Sequence, residues 1–382
     1  MTAQAPLPWL VTGVMRHLVR GEVDAAVGLL TEPNDRIQDL CDLLRRTRLA
    51  GYFFCLVHAS AAARCFPDAS LLALEEAYRE QVRRNDDNLR LMCAIRQQLG
   101  DASIPFLTIK GLYLAQRFFG DIHRRFMWDI DILVHSADLD AALAALAAIG
   151  YRGPPGIDVD SRRPFWGIHA VEVSGPGGKI DVHHALRNLP GIHFDYPRMW
   201  SEATGFNVGD EHFATLSATD TLLTAALGLG TDLQNGHHNL RKIWDIFIML
   251  RALDGSTCWD AFFLAREREG SLKLLLNVFA FCLLVSGARL GSADPSTTQP
   301  DCPRLVSALA MRRSLLLIPD RETAWKIFAR PRQHPANRLL FSRLLPVSPL
   351  RYWLRWLATL AVRVWHYRRV DRRPPTRGAR SG

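Results

Sequence analysis

Asp129 and Asp131 stand two residues apart in the run W-D-I-D-I-L-V that ends at Val134. On an extended strand that spacing puts both carboxylates on one face and sends Ile130, Ile132 and Val134 to the other. A second run, K-I-D-V-H-H over 179–184, repeats the pattern: Asp181 and His183 share a face opposite Ile180 and Val182. If the two strands are neighbours, their same-face carboxylates approach to ~5 Å. Three like charges held together out of water are costly unless a cation neutralises them. Hard oxygen donors suit Mg2+, which keeps phosphate oxygens among its ligands. Upstream, Lys110-Gly111 closes a short apolar strand and opens a helix. Such a turn aims backbone N–H groups at an anion, and Lys110 adds a point charge.

The elements that must position these groups follow from periodicity. Residues 105–109 form a short apolar run, and Leu112–Phe119 is expected as a helix. Ser136 is placed to cap a helix over 137–149, and Gly150 to end it. H-A-V-E-V-S, G-P-G-G and K-I-D-V-H-H read as a hairpin over 169–184. Before this core, residues 8–66 read as two or three helices, and Ser70–Gln98 as one long helix capped by Ser70 and stopped by Gly100. The charged residues of that helix read as a solvated face. Beyond Thr219 the spacing is helical over 219–229, 238–253, 257–267, 271–287 and 304–316. Arg241 and Asp245 are four apart in one of these and read as a structural ion pair.

The 382 residues carry a net charge of +9, but the charge is localised. Residues 343–382 hold ten Arg and one Asp, while the rest of the chain holds 37 basic and 37 acidic residues. A neutral body argues against a nucleic-acid surface there. The tail segment from Leu350 spaces Trp353, Trp356, Leu357, Leu360 and Val364 helically with Arg between them. It could dock on the body, lie on an anionic membrane surface, or bind RNA. Seven scattered Cys without a C-x-x-C pair favour free thiols and a reducing compartment. No secretory signal is read at the N-terminus, and the apolar run 274–288 is short for a membrane span and reads as a buried helix.

The pattern I-K-G … R-x-x-x-D-I-D-I-L-V … I-D-V-H resembles the uncharacterised nucleotidyltransferase family of the DNA polymerase β-like nucleotidyltransferase superfamily. The likeness spans roughly residues 80–260 and is most specific over 105–151 and 179–184. It implies an α+β fold: a small mixed β-sheet nucleotidyltransferase core with helices, flanked by N-terminal and C-terminal helical regions. The expected divisions are 1–69, a helical region; 70–210, the core; 211–342, a helical domain; and 343–382, the basic tail. The resemblance assigns Lys110 and Gly111 to the turn that grips the triphosphate. Asp129, Asp131 and Asp181 become the metal-binding and catalytic carboxylates, and Arg125 matches the family's Arg. Leu240–Asp245 is similar to the family's Leu-Arg…Asp segment. The chain departs from the pattern at Phe126, Met127 and Trp128, where small residues are usual, and at His184. Trp128 either narrows the site or stacks on a base.

The implied reaction moves a nucleoside monophosphate from an NTP such as ATP to an acceptor hydroxyl on a small molecule, sugar, peptide or protein, with release of pyrophosphate. Mg2+, or Mn2+ in its place, is the expected cofactor. The expected location is cytoplasmic, with the tail offering contact at the inner membrane surface. Two other readings stand beside this one: an RNA- or tRNA-modifying nucleotidyltransferase of toxin type, and a non-catalytic nucleotide-binding protein with a degenerate site.

Overall fold

The computed structural model describes residues 7–31, 36–153, 169–187, 189, 191–235, 239–288, 290, 301–329, 336, 340 and 342–345. The expectations for the tail beyond 345 lie outside the described residues.

Four helices open the fold: α1 Leu7–Val19, α2 Val23–Thr31, α3 Ile37–Arg46 and α4 Ala50–His58. The long helix α5 covers Asp68–Asp101. It starts two residues before the expected cap, with Pro67 at the N-cap position, and Ser70 is buried inside it. Gly100 lies within its last turn and does not stop it. Strand β1 Phe106–Ile109 leads into α6 Gly111–Phe118, and β2 Ile130–Val134 into α7 Leu139–Ala148. Ser136 does not cap α7: it sits in a 3-10 turn over Ser136–Asp138, and its hydroxyl donates to the His184 carbonyl at 3.0 Å. The expected hairpin is β3 Ala170–Gly175 with β4 Gly178–His183.

A short helix α8, Tyr196–Ser201, precedes a second hairpin, β5 Thr204–Val208 and β6 Glu211–Thr215, which the sequence reading did not identify. Then come α9 Ala218–Gln234, α10 Leu240–Leu253, α11 Trp259–Arg268, α12 Leu272–Val285, α13 Pro303–Met311 and α14 Arg321–Ala329. Helix α12 has every residue from Leu274 to Val285 buried, as its uniformly apolar sequence requires. No helix among the described residues is long and apolar enough to cross a membrane. All seven Cys are free.

The six strands form one mixed sheet in the order β3-β4-β2-β1-β6-β5. β2 runs antiparallel to β1 and parallel to β4. The period-2 alternation sorts the sheet's two faces. Ile130, Ile132, Val134, Ile180 and Val182 join Met92 and Ile95 of α5 and Ala142 and Leu146 of α7 in one buried cluster. Leu107, Ile109 and Leu133 join a larger cluster that runs from Val11 to Leu345. That cluster takes side chains from the N-terminal helices and from α9 to α14 alike, so both helical regions share one core. The architecture is α+β, a mixed sheet with helices on both faces, and it leaves the Asp129–Asp131–Asp181 face directed toward α9 and α10.

Candidate active site

The register of the central strands brings the carboxylates together. β2 and β4 pair so that Asp131 lies directly across from Asp181. Asp129 sits just ahead of β2, two residues before Asp131. A cavity of about 350 Å³ opens over all three, and its wall also includes Lys110, Gly111, Arg125 and Trp128. Lys110, Gly111, Arg125, Asp129, Asp131 and Asp181 therefore border one space.

Their partners differ. Asp131 is buried, and its Oδ1 accepts from Lys110 Nζ at 2.7 Å and from His183 Nε2 at 2.9 Å. Burial opposes its ionisation, but Lys110 and His183 outweigh that and hold the carboxyl well below the usual carboxylate range. Burial also holds His183 below its usual range, so the ring that meets Asp131 is neutral and donates Nε2–H. Among the described residues neither Asp129 nor Asp181 makes a side-chain hydrogen bond or ion pair with another residue. Burial, with Asp131 beside each, pushes both upward, Asp181 to about 6.

This donor set fits a hard divalent cation. One ligand atom each from Asp131, Asp181 and His183 lies within 4.8 Å of the others. Asp129 stands beside that group at the mouth of β2. Asp131 raises the pKa of both Asp129 and Asp181, and neither of these has a side-chain partner among the described residues, so two carboxylates are left without a direct counter-charge.

Lys110 supplies part of that charge from a strained backbone. Its φ is 64° and ψ −128°, a region that disfavours a side chain and costs about 1–3 kcal/mol. The conformation turns the chain from β1 into α6 and lets Nζ reach Asp131. Strain of this kind persists only where the surroundings fix it.

Arg125 borders the cavity but is already engaged. Its Nε and Nη2 donate to the two carboxylate oxygens of Asp245 at 2.9 and 2.8 Å, and both side chains are buried. The expected Arg241–Asp245 pair is thus replaced, because a residue 120 positions away takes Asp245 in a bidentate fork. Arg241 Nη1 instead donates to the Phe126 carbonyl at 2.9 Å. Two cations that border the cavity were not weighed from sequence: Arg187, just after β4, and Lys242. Arg187 has no hydrogen-bond or ion-pair partner among the described residues, and burial lowers its pKa while Asp232, Asp131 and Asp181 attract it. Lys242 is paired with Asp232 at 2.6 Å. Arg187 follows the I-D-V-H-H motif within four residues, so proximity to that motif was the available signal.

The segment from 122 to 128 carries these residues, and α5 holds it. Gln81, Asn85 and Asn88 lie on one buried stripe of that helix. Gln81 donates to the His123 carbonyl at 2.6 Å. Asn85 donates to the Ile122 and Arg125 carbonyls and accepts from the Met127 amide. Asn88 donates to the Met127 carbonyl at 3.3 Å. Gly51 on α4 is needed here, since a Cβ would meet Gln81 Oε1 at 2.6 Å. The solvated reading holds for Glu80, Arg83, Asp87 and Arg90, which pair in exposed i,i+3 couples. It fails for Asp86, which binds His123 at 2.7 Å, and for Arg84, which packs on Trp128 at 4.4 Å from the ring centre.

Comparison with known proteins bears on the same residues. A family model described as "Uncharacterised nucleotidyltransferase" matches residues 33–285, and so includes β1, β2, β4 and α10. A solved structure, that of an antigenic nucleotidyltransferase-like protein from Paracoccidioides brasiliensis, is similar at 17% identity and a TM-score of 0.29, over 50% of this chain and 92% of that one. No curated protein matches the chain. The family match covers more than half of the sequence and all the carboxylates of the cavity, and the chain belongs to the uncharacterised nucleotidyltransferase family.

Proposed function

We propose that the protein is a Mg2+-dependent nucleotidyltransferase that moves a nucleoside monophosphate from an NTP to an acceptor hydroxyl and releases pyrophosphate. One observation carries this reading: Asp131 and Asp181 face each other across β2 and β4, and Asp181 and Asp129 lack any side-chain partner among the described residues. A fold places unpaired carboxylates side by side only if something else neutralises them. A divalent cation held by Asp129, Asp131 and Asp181, with Mn2+ able to replace Mg2+, would acidify the acceptor hydroxyl and offset charge on the phosphates.

The chain's own groups do the rest. Asp181 has the raised pKa suited to accepting the proton of the attacking hydroxyl. His183 fixes the orientation of Asp131 through Nε2. The ammonium of Lys110 and the amides at the start of α6 meet the phosphates. Arg187, with no hydrogen-bond or ion-pair partner among the described residues, adds a guanidinium to the same wall. Arg125 is a positioning residue: its fork to Asp245 ties the segment before β2 to α10. The acceptor is a hydroxyl of a small molecule, sugar, peptide or protein, and the protein works in the cytoplasm. The tail's contact with an anionic membrane surface is part of this proposal and rests on its Arg and Trp spacing alone.

Incubation with each α-labelled NTP and Mg2+ tests the reading. Label should pass to an acceptor or to the protein itself with stoichiometric pyrophosphate, and Asp129→Asn and Asp131→Asn should abolish the transfer. Transfer that persists in both variants would contradict it.

A further inference from the structure

The exposed aromatic surface beside the metal-facing carboxylates has no role in the chemistry above. Trp128 directly precedes Asp129, borders the same cavity and is 47% exposed. The remaining large exposed apolar side chains among the described residues, Leu72, Leu264 and Met311, lie on α5, α11 and the end of α13.

The indole is held in place. It stacks on Phe126 with centroids 6.0 Å apart and an interplanar angle of 29°. The guanidinium of Arg84 lies 4.4 Å from its centre and that of Arg48 5.3 Å. Arg84 also donates to the Trp128 carbonyl at 3.4 Å. A flat ring fixed by two cations loses little freedom when a ligand covers it.

Arg48 is the telling residue. It follows α3 at φ 60°, in the left-handed region where a helix end favours Gly. An Arg there costs backbone energy that Gly would not. Its side chain reaches both Phe126 and Trp128.

From this, and resting on the nucleotidyltransferase reading, we infer that Trp128, backed by Arg84 and Arg48, is the platform on which the base of the incoming nucleoside triphosphate stacks. Stacking on an aromatic ring tolerates any base, because each has a π face. The enzyme should therefore discriminate weakly among NTPs and distinguish them strongly from a bare polyphosphate.

The test compares ATP with inorganic tripolyphosphate, each with Mg2+, by calorimetric titration of the full chain. The inference expects Trp128→Ala to weaken ATP roughly tenfold to a hundredfold and to leave tripolyphosphate unchanged within about twofold. Trp128→Phe should keep most of the ATP affinity. Arg48→Gly guards against misfolding, since Gly suits that backbone; it should weaken ATP about threefold without lowering the melting temperature. Equal losses for both ligands in Trp128→Ala, or no loss for ATP, overturn the platform. Tripolyphosphate bound by the wild type as tightly as ATP overturns the platform alone and leaves the transferase reading standing. Failure of the wild type to bind either ATP or tripolyphosphate removes the triphosphate site, and the platform with it.

Discussion

Two groups of buried and half-buried carboxylates in this molecule have opposite surroundings. Asp220, at the start of α9, accepts from Arg198 Nη2 at 2.8 Å, from Ser217 Oγ at 2.8 Å and from Arg266 Nη1 at 3.5 Å, and Arg266 in turn meets Glu269 at 2.9 Å. This network ties α8, α9 and α11 together within the protein itself. On the β2–β4 face, by contrast, one carboxylate of three, Asp131, is paired among the described residues, and it raises the pKa of the other two. Burial is common to both; compensation is not. The paired network serves the fold; on the proposed function, a cation would complete the open face from outside. The Arg125–Asp245 fork shows that the open face is a matter of placement, since a guanidinium capable of neutralising a carboxylate lies on the same cavity and is committed elsewhere.

Substitutions on the two sides should therefore fail in different ways. The largest effect is expected for Asp131→Asn, which removes the charge shared by Lys110 and the cation. Nucleotidyl transfer should fall roughly a thousandfold or more, while the folded state persists in circular dichroism. Asp220→Asn should do the reverse. Removing the Asp220 charge from Arg198 and Arg266, which keep Glu202 and Glu269 as partners, should cost about 1–3 kcal/mol in chemical denaturation, and the fraction that remains folded should turn over normally. Asn85→Ala lies between the two, because it releases the segment that positions the metal strand. A loss of about 1–3 kcal/mol for the stranded carbonyls and amide is expected, together with reduced transfer.

The smallest effect has the opposite sign. Asp181 has its folded pKa raised from 3.8 to about 6, so the metal-free protein loses stability as pH rises from about 4 through 6. Asp181→Asn should raise metal-free stability at neutral pH by roughly 1 kcal/mol. The same titration predicts that Mg2+ affinity of the wild type climbs as pH rises through about 6, with proton release on binding, and that Asp181→Asn flattens this dependence. Calorimetry in buffers of different ionisation heat counts the protons.

The carboxylate face was readable from sequence because it rests on a short-range rule. Two-residue alternation fixed which side Asp129, Asp131, Asp181 and His183 occupy, and apolar Ile130, Ile132, Ile180 and Val182 marked the other side. Partnerships across the chain were not readable. The i,i+4 spacing favoured Arg241 for Asp245, but Arg125 arrives with a planar fork and takes both oxygens. The amides of Gln81, Asn85 and Asn88 sit among charged neighbours on α5, and only the docking of the 122–128 segment shows that they are buried. Ser70 and Ser136 looked like caps by residue type, but tertiary contacts extended one helix past Ser70 and drew Ser136 to His184. Residues 204–215 do alternate, with Phe206, Val208 and Phe213 spaced for a hairpin, but two five-residue strands with mostly exposed polar positions carry a weak apolar signal.

The open carboxylate face is best examined through the spectrum of a bound paramagnetic ion. Mn2+ titrated into the full chain without nucleotide, and followed by electron paramagnetic resonance, should lose its free-ion signal as the protein binds it. The account predicts that Asp131→Asn restores that signal, whereas Asp220→Asn, measured where it is folded, does not. An Mn2+ signal bound equally by wild type and Asp131→Asn would contradict it.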